Sequence, residues 1–300
     1  MKLKYFIAGL ITFLVLGFLT PHNSVYAEGA TFQVSPMNQK ISLIPGERTY
    51  GTFKVTNPDT NPSNFHFTLS VEPFTVDSDY NIKYENNGDY NQIVDWITIE
   101  GNEAELPPNN TATVHFYIDT PENAPAGGQY VAIVVKSAGN DDSKEGLNIK
   151  SNFGITHAIF AEVAGETIRK GEVDSINLPS FLFSGNITGT ATVKNVGNVH
   201  SDAAYTLQVF PIFSDEEIYT NEENPLTNTI LPEATRTTML SWDETPSIGI
   251  FHVIYNVEFE GVNQKVDKMV IVCPLWLLFI IAVIIFLIIF KILSGKKEKN

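Results

Sequence analysis

Hydrophobic and polar residues alternate with a period of two along most of this chain. In NFHFTLSVEPF, Phe65, Phe67, Leu69 and Val71 fall on one side, and His66, Thr68, Ser70 and Glu72 on the other. TATVHFYI alternates through Ala112, Val114, Phe116 and Ile118, and GIFHVIYNVEF through Phe251, Val253, Tyr255, Val257 and Phe259. A strand of this kind buries one face and wets the other, as in antiparallel sheets packed as a sandwich. Clusters of Pro, Gly, Asn and Asp separate the runs, as turns require. No stretch between residues 28 and 268 carries helical spacing.

The ends break the pattern. Residues 1–27 combine Lys2 and Lys4, an apolar run from Phe6 to Leu19 and the small-residue site Val25-Tyr26-Ala27, which together read as a secretory signal peptide. Near the other end, Met269 to Phe290 contain no charge for 22 residues. As a helix this run covers roughly 33 Å, enough for a hydrocarbon core of about 30 Å. Lysines 291, 296, 297 and 299 follow, so residues 269–290 read as a transmembrane helix and 291–300 as a basic cytoplasmic tail.

The middle of the chain repeats itself. Displaced by 138 positions, residues 51–73 align with 189–211 without a gap and share nine identities in 23 positions, among them Gly51 with Gly189, Asn57 with Asn195 and Pro73 with Pro211. A period this long is a whole domain. The segment AGETIRKGEVD (164–174) marks the boundary. The expected fold is therefore an all-β ectodomain of two tandem immunoglobulin-like sandwiches, residues 28–167 and 168–268, followed by one transmembrane helix. Asn57 and Asn195 each end a strand and open a loop, where the side chain can bond the following backbone. The first copy is the longer, and its excess falls mainly between residues 75 and 127. Loops on a rigid sandwich commonly carry function.

Charge narrows the partners. Residues 28–268 hold 13 basic and 33 acidic residues, a net charge of −20. Such a surface repels nucleic acid and anionic lipid headgroups. The single cysteine, Cys273, lies in the apolar segment, so no intrachain disulfide can form. A cysteine-free extracellular module points to a bacterial surface protein rather than a disulfide-built animal one.

Catalytic patterns are missing from the sequence. There is no G-x-S-x-G elbow, no H-E-x-x-H and no phosphate loop. His66, His115 and His252 occupy polar positions on strands, and His157 and His200 are isolated, so all read as solvated side chains rather than ligands. DSDYN (77–81) begins like a calcium loop, but Ile82 and Gly88 replace its glycine and glutamate, and a hairpin turn fits better. Neither a metal nor a cofactor is expected, and no enzymatic activity. Gly127 and Gly128 read as a tight entry into a strand. Carbohydrate is the candidate ligand: Tyr80, Tyr84, Tyr90 and Trp96 lie among Asn86, Asn87, Asp89, Asn91 and Gln92, aromatic faces for sugar rings beside amides for hydroxyls. A place for Trp96 in the core is the competing reading.

Phe32, Val34 and Pro36, then Ile41, Leu43, Pro45, Gly46 and Glu47, then FKVTN, VDSDYNIKY and TPENAPAGGQY, followed by an apolar span and a lysine tail, resemble the WxL-interacting protein family of bacterial surface proteins. The resemblance implies an amino-terminal immunoglobulin-like domain that binds peptidoglycan, a second that engages a surface protein, and a single-pass anchor in the plasma membrane. A purely structural adhesion stalk, or an accessory subunit of a membrane complex, fits the same layout.

Overall fold

The computed structural model describes residues 32–77, 79–137 and 154–297. The signal segment 1–27 lies outside them, as do the side chains of the last lysines. Domain 1 contains β1 (Gln33–Ser35), β2 (Asn38–Leu43), β3 (Arg48–Asn57), β4 (Phe65–Pro73), β5 (Thr75–Val76), β6 (Ile82–Lys83), β7 (Ile97–Ile99), β8 (Glu103–Leu106), β9 (Asn110–Asp119), β10 (Gly127–Ser137) and β11 (Gly154–Val163). Domain 2 contains β12 (Gly171–Asn177), β13 (Phe181–Leu182), β14 (Ile187–Asn195), β15 (Ser201–Pro211), β16 (Tyr219–Thr220), β17 (Leu226–Ile230), β18 (Thr235–Trp242), β19 (Gly249–Phe259) and β20 (Val262–Val272), and helix α1 (Leu275–Lys297) follows.

Both domains are sandwiches, and they share one topology. In domain 1 a sheet ordered β1-β3-β9-β7 faces one ordered β2-β11-β10-β4-β8. Domain 2 repeats this as β12-β14-β18 against β13-β20-β19-β15, with β16 and β17 both paired to β15. Even the one parallel pairing recurs, β2 on β11 and β13 on β20. Alternation predicts the buried faces well: Phe53, Phe67, Phe116, Ile118 and Ile133 fill the first core, and Val193, Leu207, Val253, Tyr255 and Phe259 the second. Each such side chain contributes about 1.5–3 kcal/mol on leaving water.

The repeated residues have physical causes. A Cβ on Gly51 would lie 2.1 Å from the Phe116 ring, and one on Gly189 2.2 Å from Tyr255, so a ring crosses the backbone in both copies. Asn57 and Asn195 are fully buried. The Asn57 amide donates to Ser63 O (3.0 Å) and Leu106 O (2.9 Å), and its oxygen accepts from Asn61 (2.8 Å). The Asn195 amide donates to Val199 O (2.8 Å) and Ile230 O (2.9 Å), and its oxygen accepts the Gly197 N–H (2.8 Å). Each asparagine thus bonds the loop that follows it, as expected, and also the opposite sheet. It is a cross-sandwich staple where a disulfide is lacking.

The apolar run near the carboxy terminus is divided. Met269–Val272 close β20, with Val270 and Val272 in the domain 2 core, so that domain continues past residue 268. Cys273 N–H still bonds Leu182 O (2.9 Å). Pro274, lacking an N–H, stops the ladder, and its carbonyl receives the N–H groups of Leu277 and Leu278 as α1 begins. The helix therefore starts at Leu275 rather than Met269. From Phe279 to Ile289 every side chain is exposed. Among the described residues, no helix is long and apolar enough to cross a membrane.

Replacing Asn57 or Asn195 with Ala leaves two carbonyls without their donor, and each such loss costs about 1–3 kcal/mol. Each substitution is expected to lower stability by about 2–4 kcal/mol in urea unfolding, Asp being no better than Ala because it cannot donate.

Candidate functional site

The predicted tyrosine cluster does not assemble on one open face. The long insert of domain 1 forms the β5–β6 hairpin and two 3₁₀ turns, Gly88–Tyr90 and Gln92–Asp95, and most of its aromatic residues turn toward protein. Tyr80 packs against the core of domain 2. Its hydroxyl donates to Thr229 O (2.7 Å) and accepts the Leu231 N–H (2.8 Å), while the Arg236 guanidinium lies 4.2 Å from its ring centroid. Burial pushes the Tyr80 phenol up to about 12. Tyr90 reaches Glu233 across the same junction (3.3 Å) and packs beside Tyr130. Trp96 packs against the domain 1 core. Only Tyr84 is open, 48 % exposed, with its hydroxyl against Thr156. Three of the four candidates are thus structural, because a loop pattern does not reveal which neighbouring domain covers it.

What these residues build is an interdomain joint. Its apolar centre is Phe74, Tyr130, Ala132, Val134 and Ala158 from domain 1 around Leu231 from domain 2. Asn198, in the loop after β14, ties three segments together. Its carbonyl accepts the Gly128 N–H (2.8 Å), its N–H donates to Ile168 O (3.0 Å), and its side-chain oxygen accepts the Ile168 N–H (2.7 Å). Gly127 has φ 118° at this approach, and a Cβ there would come within 2.7 Å of Asn198 O. The glycine pair does lead the chain into β10, but closeness to domain 2 is what requires Gly127, and the Tyr130 side chain crossing over the backbone is what requires Gly128. The linker 164–170, where the boundary was expected, is thereby hydrogen-bonded and not free.

A polar rim surrounds the joint. Lys40 pairs with Asp202 (2.6 Å) and Arg169 with Glu162 (2.6 Å), beside a cleft of about 210 Å³ that His200 also lines. These charges cancel pairwise, so the cleft favours neither anions nor cations. His200 and His157 are buried, not solvated as their isolation in the sequence suggests. His157 stacks on Phe53 and bonds Pro36 O through Nδ1 (2.8 Å). The Tyr130 hydroxyl lies 3.4 Å from His200 Nδ1, whose ring also edges onto Phe160. Burial, aided by Lys40 and opposed by Glu162 and Asp202, lowers His200 from 6.5 to about 4.

In the loop at 77–81, Asp77 Oδ1 accepts the N–H groups of Asp79 (3.0 Å) and Asn81 (2.8 Å), which holds the carboxyl below its usual range and makes a turn. Among the described residues no group of three His, Cys, Asp or Glu could hold a metal ion.

No protein-family model matches this sequence, and no curated protein is significantly similar to it. Among solved structures, the Salmonella enterica SafA pilin in complex with the SafB chaperone is 11 % identical, with 82 % of this chain and 98 % of that chain covered at a TM-score of 0.38. The E. coli chaperone DraB is 12 % identical, with 79 % and 97 % covered and a TM-score of 0.37. The class 5 fimbriae chaperone CfaA gives 12 %, 82 % and 100 %, again at 0.37. The architecture described above rests on the sheets themselves.

Tyr80→Phe deletes two hydrogen bonds of the joint and strands a backbone N–H and a carbonyl. It is expected to cost about 2–4 kcal/mol in the unfolding of domain 2 or of the pair. The histidine gives a pH signature. Unfolded, His200 takes up its proton near 6.5, but folded only near 4, so stability is full above the first value and falls as pH drops toward the second. A shift of this size amounts to about 3 kcal/mol, and His157, also lowered by burial, adds loss of the same sign. Urea unfolding at pH 7 and pH 5 should show a smaller difference for His200→Gln than for the wild type.

Proposed function

We propose that this protein is a non-enzymatic binding protein of a bacterial cell surface, anchored in the plasma membrane by α1, with domain 1 engaging peptidoglycan or another wall glycan and domain 2 holding a surface protein. The observation that carries the anchored arrangement is the end of domain 2 from which α1 departs. There β13 and the start of β19 flank the last residues of β20. Phe183, Ile248 and Ile250 are exposed at that end, and Phe213, 97 % exposed, follows β15 where Ile212 N–H bonds Ile250 O. Exposed apolar side chains gathered where the chain enters an apolar helix fit a domain base resting on lipid. The apolar residues from Leu275 to Phe290 run into lysines, the basic flank expected at the cytoplasmic end of an anchor.

The wall-binding half of this reading extends the family resemblance of the sequence, and the joint supports it physically. With the linker bonded to Asn198 and Tyr80 seated in domain 2, domain 1 is presented at a fixed attitude on top of domain 2. The same stiffness favours a second reading, a spacer that displays nothing.

Alkaline carbonate extraction of membranes carrying the full chain, followed by pull-down of the nanodisc-borne protein on protein-free sacculi, tests both halves. Retention in the membrane pellet and saturable binding are expected. Retention without binding leaves the spacer, and release into the supernatant refutes the anchor.

A further inference from the structure

The outer face of the β3–β9 pair carries side chains that neither the fold nor the joint employs. These are the central strands of their sheet, and their register sets Tyr50 opposite Tyr117 and Arg48 opposite Asp119. Tyr50 is 69 % exposed, and its ring centroid lies 6.4 Å from that of Tyr117. Arg48 grips Asp119 through two hydrogen bonds of 2.6 and 2.7 Å, and its guanidinium stacks 4.0 Å from the Tyr117 centroid. The clamp fixes the ring and neutralises the carboxylate. Beyond the tyrosines the face continues through Thr52 and Lys54 to the Thr56–Thr111 hydroxyl pair at 2.9 Å. From Arg48 to Thr56 it runs about 27 Å at the usual strand rise.

We propose that this face is a binding platform for a polysaccharide strand, with Tyr50 and Tyr117 as the stacking rings; the proposal rests on the wall-glycan reading above and gives it a place. The chemistry suits a sugar: rigid amphipathic rings for the C–H face of a pyranose, with threonine hydroxyls and a guanidinium around them for its rim. No aliphatic side chain points outward from β3 or β9, so the face lacks the apolar centre expected of a protein interface. Charge agrees. In a chain whose residues 28–268 carry a net −20, the Asp119 carboxylate beside the rings is paired with Arg48, and Lys54 has no ion-pair partner among the described residues, so the strip bearing the rings is less acidic than the molecule as a whole.

The molecule contains its own control. At the equivalent places of domain 2, Thr188 faces Ser241, and just past the ladder's end Asn186 lies beside Asp243. The polar cross-strand bond survives there, Asn186 to Asp243 at 2.8 Å, but both rings and the guanidinium are gone. The scaffold needs a tie at this position and does not need the tyrosines. They belong to whatever domain 1 does alone.

The test measures binding of the full chain in nanodiscs to protein-free peptidoglycan sacculi, for the wild type, Tyr50→Ala with Tyr117→Ala, Tyr50→Phe with Tyr117→Phe, and Tyr50→Ala alone. The double alanine variant should bind about tenfold more weakly or worse, the phenylalanine variant close to wild type, and the single variant in between, all with unchanged urea midpoints for domain 2. Should the double variant fail to fold, the exposed single change carries the comparison. Undiminished binding by the alanine variants overturns the platform and leaves the wall reading standing. Absence of wild-type binding overturns both. Binding only to sacculi that retain attached proteins, lost in the alanine variants, reassigns the face to a protein partner and overturns the glycan.

Discussion

Two sandwiches in tandem present a fixed surface only if the link between them cannot turn, and here that constraint is met largely through Asn198. One residue holds the linker through its N–H and its side-chain oxygen, and holds β10 through its carbonyl. Backbone bonds do this better than the visible ion pairs. Lys40–Asp202 and Arg169–Glu162 are partly exposed and contribute roughly 0–1 kcal/mol each. Burying Leu231 alone is worth about 1.5–3 kcal/mol, and the Tyr80 hydroxyl satisfies two backbone groups that would otherwise be sealed without partners. The apolar plug and the bonds around it therefore set the angle, and the salt bridges decorate it.

Duplication explains the sandwich pair, and the differences between the copies show what each was left free to change. Gly51 and Gly189 recur because a ring crosses the backbone, Asn57 and Asn195 because a buried amide bridges the sheets. These are demands of the fold and were kept twice. The joint is asymmetric by necessity, so the insert with Tyr80 and Tyr90 exists in one copy only. Outer-face positions carry no folding demand beyond a cross-strand tie, and there the copies diverge from Arg48, Tyr50 and Tyr117 to Asn186, Thr188 and Ser241.

Much of the fold was legible in the sequence, since period-two alternation and the 138-residue repeat depend only on local order. The buried faces of β4, β9 and β19 fall where alternation places them. Long-range facts were not legible. Tyr80 and Tyr90 read as exposed loop aromatics because nothing in an insert states that a second domain will cover it. His157 and His200 read as polar for the same reason, while their burial depends on neighbours more than thirty positions away. The start of α1 was misplaced because a buried strand end and an apolar helix look alike as composition. Pro274 was the available signal, as a residue without an N–H that ends a ladder and can open a helix.

That boundary changes the mechanics of the proposed anchored arrangement. Val270 and Val272 are core residues of domain 2, and only Cys273 and Pro274 separate β20 from α1. With so short a connection the sandwich cannot swing far from the helix that carries it. Domain 2 would stand on the bilayer, its exposed Phe213 and Phe183 at the base, and the joint would transmit that attitude to domain 1. A ligand polymer lying parallel to the membrane would then meet a sheet face of set orientation, so less freedom is lost on binding than with a tethered domain. On the proposed reading, stiffness along both domains would be a functional property in its own right, and it follows from side chains of the joint and not of the proposed binding face.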